Sequence, residues 1–261
     1  LCCRRPVGHG ASIPPLGVQQ GIPSRAPPIV TFDVGQTLAE LDLDFLARRV
    51  GERGIAVEPA SLAAAAPAAW ARYEALVREG ARHPWKALMH TLLAGAGIAA
   101  PTSLVEWLWS EQPTKNLWRK PIPPMVGLAR ELAARGARVG VLSNSEGHLA
   151  GLLAEIGIAD AFATIVDSGR IGIEKPDPRI FAHALAALDA PADAQPIHIG
   201  DLWTADIEGA LGAGWRAIWY GAHAVPVDDP RVASARDAGE VRAALVAWGA
   251  LDQRGSDVTL A

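Results

Sequence analysis

From Pro121 onward the chain alternates two periodicities that neither a helical bundle nor an antiparallel sheet would share. Met125, Leu128, Ala129 and Leu132 form an i, i+3, i+4, i+7 stripe closed by Gly136, the signature of a helix with one apolar face. Residues 138–142 then read as a short apolar strand ending at Ser143. A second stripe of Leu149, Leu152, Leu153 and Ile156 is closed by Gly157. Further strands are expected at 162–166, 196–199 and 216–220, with helices over 178–188 and 205–213. The apolar run at residues 29–32 adds one more strand. Strands separated by helices need crossover connections, so the expected class is α/β, a parallel sheet with helices on both faces. Ligands of such sheets sit at the carboxyl ends of the strands, where strand order switches. The polar residues at those ends should therefore converge.

Residues 40–118 interrupt this pattern. They are rich in Ala, Leu and Arg, keep a helical period, and break at Gly54, Gly80 and Gly95 to Gly97. No strand is expected there, and Trp70, Trp85, Trp107 and Trp109 read as packing residues of an inserted all-α unit. The expected layout is an N-terminal extension at 1–28, a core made of 29–39 and 119–250, the helical insertion at 40–118, and a frayed tail at 251–261. The extension is rich in Gly, Pro, Ser and Arg without periodicity and is expected to be disordered; lacking an initial Met, it reads as an incomplete start.

Half of the 261 residues are apolar, 20% are charged, and the net charge is -4. No basic stripe is present to neutralise phosphates, which argues against nucleic acid as a partner. No apolar run approaches the ~20 residues of a membrane span. The only cysteines, Cys2 and Cys3, are adjacent and close no useful loop, so a reducing, cytoplasmic setting is expected. Oligomeric state has no readable signature.

Four strand ends carry the chemistry. They are Asp33 and Thr37 after the first strand; Ser143 with Asn144; Lys175 in the stretch 172–178; and Gly200-Asp201 with Asp206 five residues on. Taken singly, Ser143 suits a helix cap, Lys175 a solvated loop and Asp201 a turn. Taken together they suit phosphoryl transfer. A carboxylate attacks phosphorus to form an aspartyl-phosphate. Asp33, Asp201 and Asp206 offer hard oxygen ligands suited to Mg²⁺. Lys175 and the hydroxyls of Ser143 and Thr37 are placed to hold phosphate oxygens.

In their order and residues, these segments resemble the four motifs of the haloacid dehalogenase-like superfamily of hydrolases. The resemblance runs over about residues 29–220. Residues 32–38 resemble the first motif, 141–145 the second, 175–181 the third, and Gly200-Asp201 with Asp206 the fourth. The resemblance implies a Rossmann-like core and a small phosphorylated substrate. It implies Asp33 as nucleophile, Mg²⁺ held by Asp33, Asp201 and the backbone carbonyl of Gly35 with Asp206 assisting, and phosphate bound by Thr37, Ser143, Asn144 and Lys175. It also implies that 40–118 is a cap closing over the site.

One departure matters. Phosphatases of this family usually carry an acid/base Asp two residues after the nucleophile, followed by Gly; here Gly35 and Gln36 stand instead. Glu40, Asp42, Asp44 and His148 are the substitutes nearest in sequence. Two other readings stay open: a pseudoenzyme that binds Mg²⁺ and phosphate without turnover, and a phosphonate-cleaving hydrolase using Lys86 or Lys115 of the insertion. Metal-free dehalogenation fits less well, because the Gly200-Asp201 pair is retained.

Overall fold

The computed structural model describes residues 26–81, 83–221 and 224–252, so most of the expected extension and tail lie outside the described residues. Strand β1 (Ile29–Phe32) is buried along its whole length and lies at the middle of a six-stranded sheet. The other five strands are β4 (Arg138–Ser143), β5 (Thr164–Asp167), β6 (Ile197–Gly200), β7 (Arg216–Tyr220) and β8 (Val232–Ala235). Their order is β5-β4-β1-β6-β7-β8 and every pairing is parallel. Strand order reverses at β1, which has β4 on one side and β6 on the other. The crevice for a ligand therefore opens at the carboxyl ends of these three strands.

Side chains alternate across the strands and feed two apolar clusters. Val139 and Val141 of β4 join one, with α5 (Pro123–Ala134), α6 (Leu149–Glu155) and α10 (Ala238–Ala247). Leu142 joins the other, with α8 (Pro178–Ala187), α9 (Gly209–Gly212) and Trp215. A short α7 (Ser168–Ile171) follows β5.

A third cluster belongs to the insertion: α1 (Leu43–Gly51), α2 (Pro59–Arg78), α3 (Trp85–Gly95) and α4 (Thr102–Glu111). The alanines of α2 allow close packing, since a Cβ on Gly95 of α3 would lie 2.9 Å from the Ala65 Cβ. Trp70, Trp107 and Trp109 pack against this cluster and Trp85 is part of it, in line with the packing role expected for them. The insertion is not wholly helical, however. It is entered and left through β2 (Ala39–Leu41) and β3 (Trp118–Pro121), an antiparallel ribbon closed on its exposed side by a Glu40–Lys120 ion pair of 2.7 Å. Three- and four-residue strands containing Glu, Arg, Lys and Pro carry little strand signal.

Other boundaries shift for identifiable reasons. Phe162 packs edge-on to Phe32 at 6.3 Å instead of opening a strand, so β5 starts two residues later than expected. The helix expected over 205–213 begins as a wide π-type turn at Trp203–Glu208. β8 and α10 lie beyond the last expected strand, although the Asp237 carboxylate caps the Glu240 N–H of α10, a sequence-visible start signal. Leu251, assigned to the tail from sequence, is 4% exposed and packs in the first cluster. At the other end, the Pro28 carbonyl already accepts the Arg138 N–H. Among the described residues, no helix is long and apolar enough to cross a membrane.

Phe181 of α8 is fully buried and meets His198 and Trp215 edge-on at 5.7 and 5.2 Å. Phe181→Ala should lower unfolding free energy by about 3–5 kcal/mol, read from urea denaturation.

Candidate active site

Asp33 follows β1 directly, anchored by its N–H on the Ile199 carbonyl at 2.8 Å. The next residues double back: the Val34 carbonyl accepts N–H groups from Thr37, Leu38 and Ala39. This turn gives Gln36 a φ of 53°, in the left-handed region that favours glycine. The backbone thus explains the glycine usual at this position of the family pattern, and Gln36 bears the strain of replacing it.

The centre of the site is the Lys175 ammonium, which is almost wholly buried. It donates to Asp33 Oδ1 at 2.7 Å, to Asp206 Oδ1 at 2.5 Å and to the Leu142 carbonyl at 2.9 Å, using all three of its protons. Its loop is clamped to the end of β4 by Asn144, whose side-chain amide donates to the Lys175 carbonyl and accepts the Lys175 N–H at 3.0 and 2.8 Å. Asn144, expected as a phosphate ligand, is thus engaged in holding Lys175.

Asp206 sits in the π-type turn after β6. Its Oδ1 also meets His198 Nε2 at 3.1 Å, and its Oδ2 accepts the Leu202 N–H at 2.9 Å. His198 is fully buried and reaches Thr31 Oγ1 through Nδ1 at 2.8 Å. Burial pushes the His198 pKa down, more than Asp206 restores it, so the ring is neutral and donates from one nitrogen while accepting at the other. Gly200 is required here: a Cβ on it would fall 2.2 Å from the Asp206 Cγ.

Asp33, Asp201 and Asp206 each place a carboxylate oxygen within 4.8 Å of the others. Burial, and then the Asp206 and Asp33 charges, push Asp201 well above the usual carboxylate range. Burial works the same way on Asp206, but Lys175 and His198 overcome it and hold that carboxyl down. For Lys175, burial is likewise outweighed by the two carboxylates, which raise it. Three acids against one lysine leave surplus negative charge, a donor set that suits a hard divalent cation.

These groups line one cavity of about 380 Å³, together with Gly35 and Ser143. Thr37 does not line it; the residue is fully buried and its hydroxyl has no partner among the described residues. None of the proposed substitute acids and bases lines it either. Glu40 pairs with Lys120, Asp42 caps α1, and Asp44 and His148 are exposed. Lys86, ion-paired with Glu106, and Lys115 are also outside the lining, so the phosphonate reading has neither of its candidate lysines in the cavity. Trp203 packs on Trp219 at 4.9 Å and does not line the cavity.

Several contributors were not visible in the sequence. Asp167, at the end of β5, accepts the N–H groups of Gly147, Leu149 and Gly169, each at 3.0 Å, and so braces the loop after Ser143. Gly169 allows the approach, because a Cβ there would lie 2.5 Å from the Gly147 nitrogen. From the insertion, Trp70, Tyr73, Trp85, Trp109 and Trp118 line the same cavity.

A family model for haloacid dehalogenase-like hydrolases matches residues 28–214. A phosphoserine phosphatase from Thermus thermophilus is 31% identical over 209 residues, covering 68% of this chain and 83% of its own length. A glyceraldehyde 3-phosphate phosphatase from Methanothermobacter thermautotrophicus is 32% identical over 106 residues, covering 38% of this chain and 44% of its own. The fold is shared with the crystal structure of magnesium-bound YfnB from Bacillus subtilis, at a TM-score of 0.61 and 20% identity, over 85% of this chain and 99% of that one. With its sheet order, its acidic cluster and these relatives, the chain belongs to the haloacid dehalogenase-like hydrolases, as a phosphatase-like hydrolase of that family.

Proposed function

We propose that this protein hydrolyses a small phosphomonoester through an aspartyl-phosphate on Asp33. The observation that carries this reading is the Lys175 ammonium bonded to Asp33 Oδ1, with Asp201, Asp206 and Ser143 on the same cavity. Lys175 binds Oδ1 and leaves Oδ2 to the reaction. Oδ2 attacks phosphorus, the ester P–O bond breaks, and the leaving oxygen departs with the electron pair. Water then attacks the same phosphorus, releasing inorganic phosphate and restoring the Asp33 carboxylate. Ser143 binds a phosphate oxygen, Lys175 holds Asp33 and lends its charge to the phosphate without a free proton, and Asp206 acts by holding Lys175 and the turn at Leu202 in place. Asp33, Asp201 and the Gly35 carbonyl are the groups that would hold Mg²⁺, which when bound offsets the repulsion between carboxylate and phosphate.

No acid stands at Gly35 and none of the sequence-near substitutes lines the cavity; the other carboxyls that do are Glu146, pushed up by burial, and Glu174. The leaving group must depart without a proton from that position, so the rate should follow its acidity steeply. Sugar phosphates should turn over slowly and acyl or aryl phosphates fast. The same gap supports a second reading, Mg²⁺-linked phosphate binding without hydrolysis.

A phosphate-ester panel with and without Mg²⁺ separates the two. Hydrolysis should need Mg²⁺, rise with leaving-group acidity and vanish in Asp33→Asn; equal rates across the panel, or activity surviving that change, would refute the mechanism. Position 35 has room for a side chain, because a Cβ there meets only ordinary contacts of 3.5–3.7 Å to Trp118 and Asp33. Gly35→Asp should accelerate the esters of poorly acidic alcohols by about 10²–10⁴-fold and leave acyl phosphates nearly unchanged, measured as kcat.

A further inference from the structure

We propose that the wall of the cavity facing the acids takes an aromatic ring, which makes aryl phosphates the substrate class. The inference rests on the hydrolase reading for its chemistry but not for its binding site. Five aromatic side chains from α2, α3, α4 and β3 converge on this wall: Trp70, Tyr73, Trp85, Trp109 and Trp118. Trp70 meets Tyr73 at 5.4 Å with planes inclined by 73°, and Trp85 meets Trp109 at 5.2 Å and 56°. Tilted and edge-on pairs leave ring faces and edges to a further aromatic group, the arrangement in which π systems attract.

Charge on the wall points the same way. Among the described residues of 40–118, no lysine, arginine or carboxylate lines the cavity; the polar groups are His83, Gln112 and Asn116. Lys175 is the only described cation in the lining and its three protons are already bonded. A leaving group carrying a carboxylate, as in phosphoserine, therefore finds no described counter-charge. A flat neutral ring fits both the wall and the missing acid, because a phenol ionises near pKa ~10 and leaves without a proton far more readily than an alkanol.

Phosphonates test the binding without turnover. With Mg²⁺ present and the unaltered protein, calorimetry should give phenylphosphonate an affinity about tenfold above methylphosphonate, and above the cationic 2-aminoethylphosphonate. Trp70→Ala and Trp109→Ala should each narrow the phenyl-to-methyl gap by roughly fivefold. If either variant fails to fold by circular dichroism, the comparison on the unaltered protein still decides. Equal affinity for phenyl and methyl compounds, a preference for 2-aminoethylphosphonate, or no binding of any would overturn the proposal. Ring-selective binding with no ester hydrolysed would keep this inference and remove the reaction. Hydrolysis without ring selectivity would do the reverse.

Discussion

The Lys175 ammonium ties the site together. It is 2% exposed and bonds three groups far apart in sequence: the carboxylate after β1, the carbonyl of Leu142 in β4, and the carboxylate in the turn after β6. A lysine without partners at such depth would lose its proton to burial. Here two carboxylates outweigh that effect, and each carboxylate depends on the lysine in turn. Such a triad contributes little net stability compared with an apolar core, but removing one member leaves an uncompensated buried charge. What it supplies is registration: the ends of three adjacent strands are fixed relative to one another at the point where strand order reverses.

The surrounding groups serve this triad. Asn144 clamps the lysine loop through both of its amide functions, Asp167 braces the adjoining loop, and His198 steadies Asp206 from behind with Thr31. The wide turn at Trp203–Glu208 follows from the same requirement, because Asp206 must fold back over Gly200 to reach Lys175 while accepting the Leu202 N–H. Turns of this kind concentrate at functional sites. The rigid side of the cavity therefore belongs to the sheet, and the insertion contributes a separately packed wall with its own apolar cluster. Leu202 and Trp118 pack against that cluster and join the two.

How much of this was legible in the sequence follows from what each element depends on. The central strands and their helices announce themselves by periodicity, since their apolar faces are set by local geometry; the strand expected at 216–220 coincides with β7. Asp33, Ser143, Lys175, Asp201 and Asp206 were legible as polar residues at strand ends, and the structure brings all five to one cavity. Elements whose stability comes from distant partners were not legible: the β2–β3 ribbon exists only because residues as far apart as Glu40 and Lys120 pair, and the tail residue Leu251 is held by a core formed elsewhere. Thr37 and Asn144 have the residue types of phosphate ligands, but backbone folding buries the first and the Lys175 loop engages the second. The five aromatic residues look the same in sequence whether they face a core or a cavity, and here they do both.

Gly35 and Trp118 together give the cavity its polarity. The position that an acid would occupy is open, and the nearest atoms to a Cβ there are Trp118 Cδ1 and Nε1, at 3.5 and 3.6 Å. Trp118 lies on the return strand of the insertion, so the border between reacting groups and insertion wall passes through this one contact. On one side lie Asp33, Asp201 and Asp206 with Lys175, and Glu146 and Glu174 line the same cavity. On the other lie indole and phenol rings, which do not give up a proton at neutral pH. On the proposed reading, a leaving group placed against such a wall carries its own means of bearing negative charge. In that reading, the open position at Gly35 and the aromatic lining constrain the substrate together.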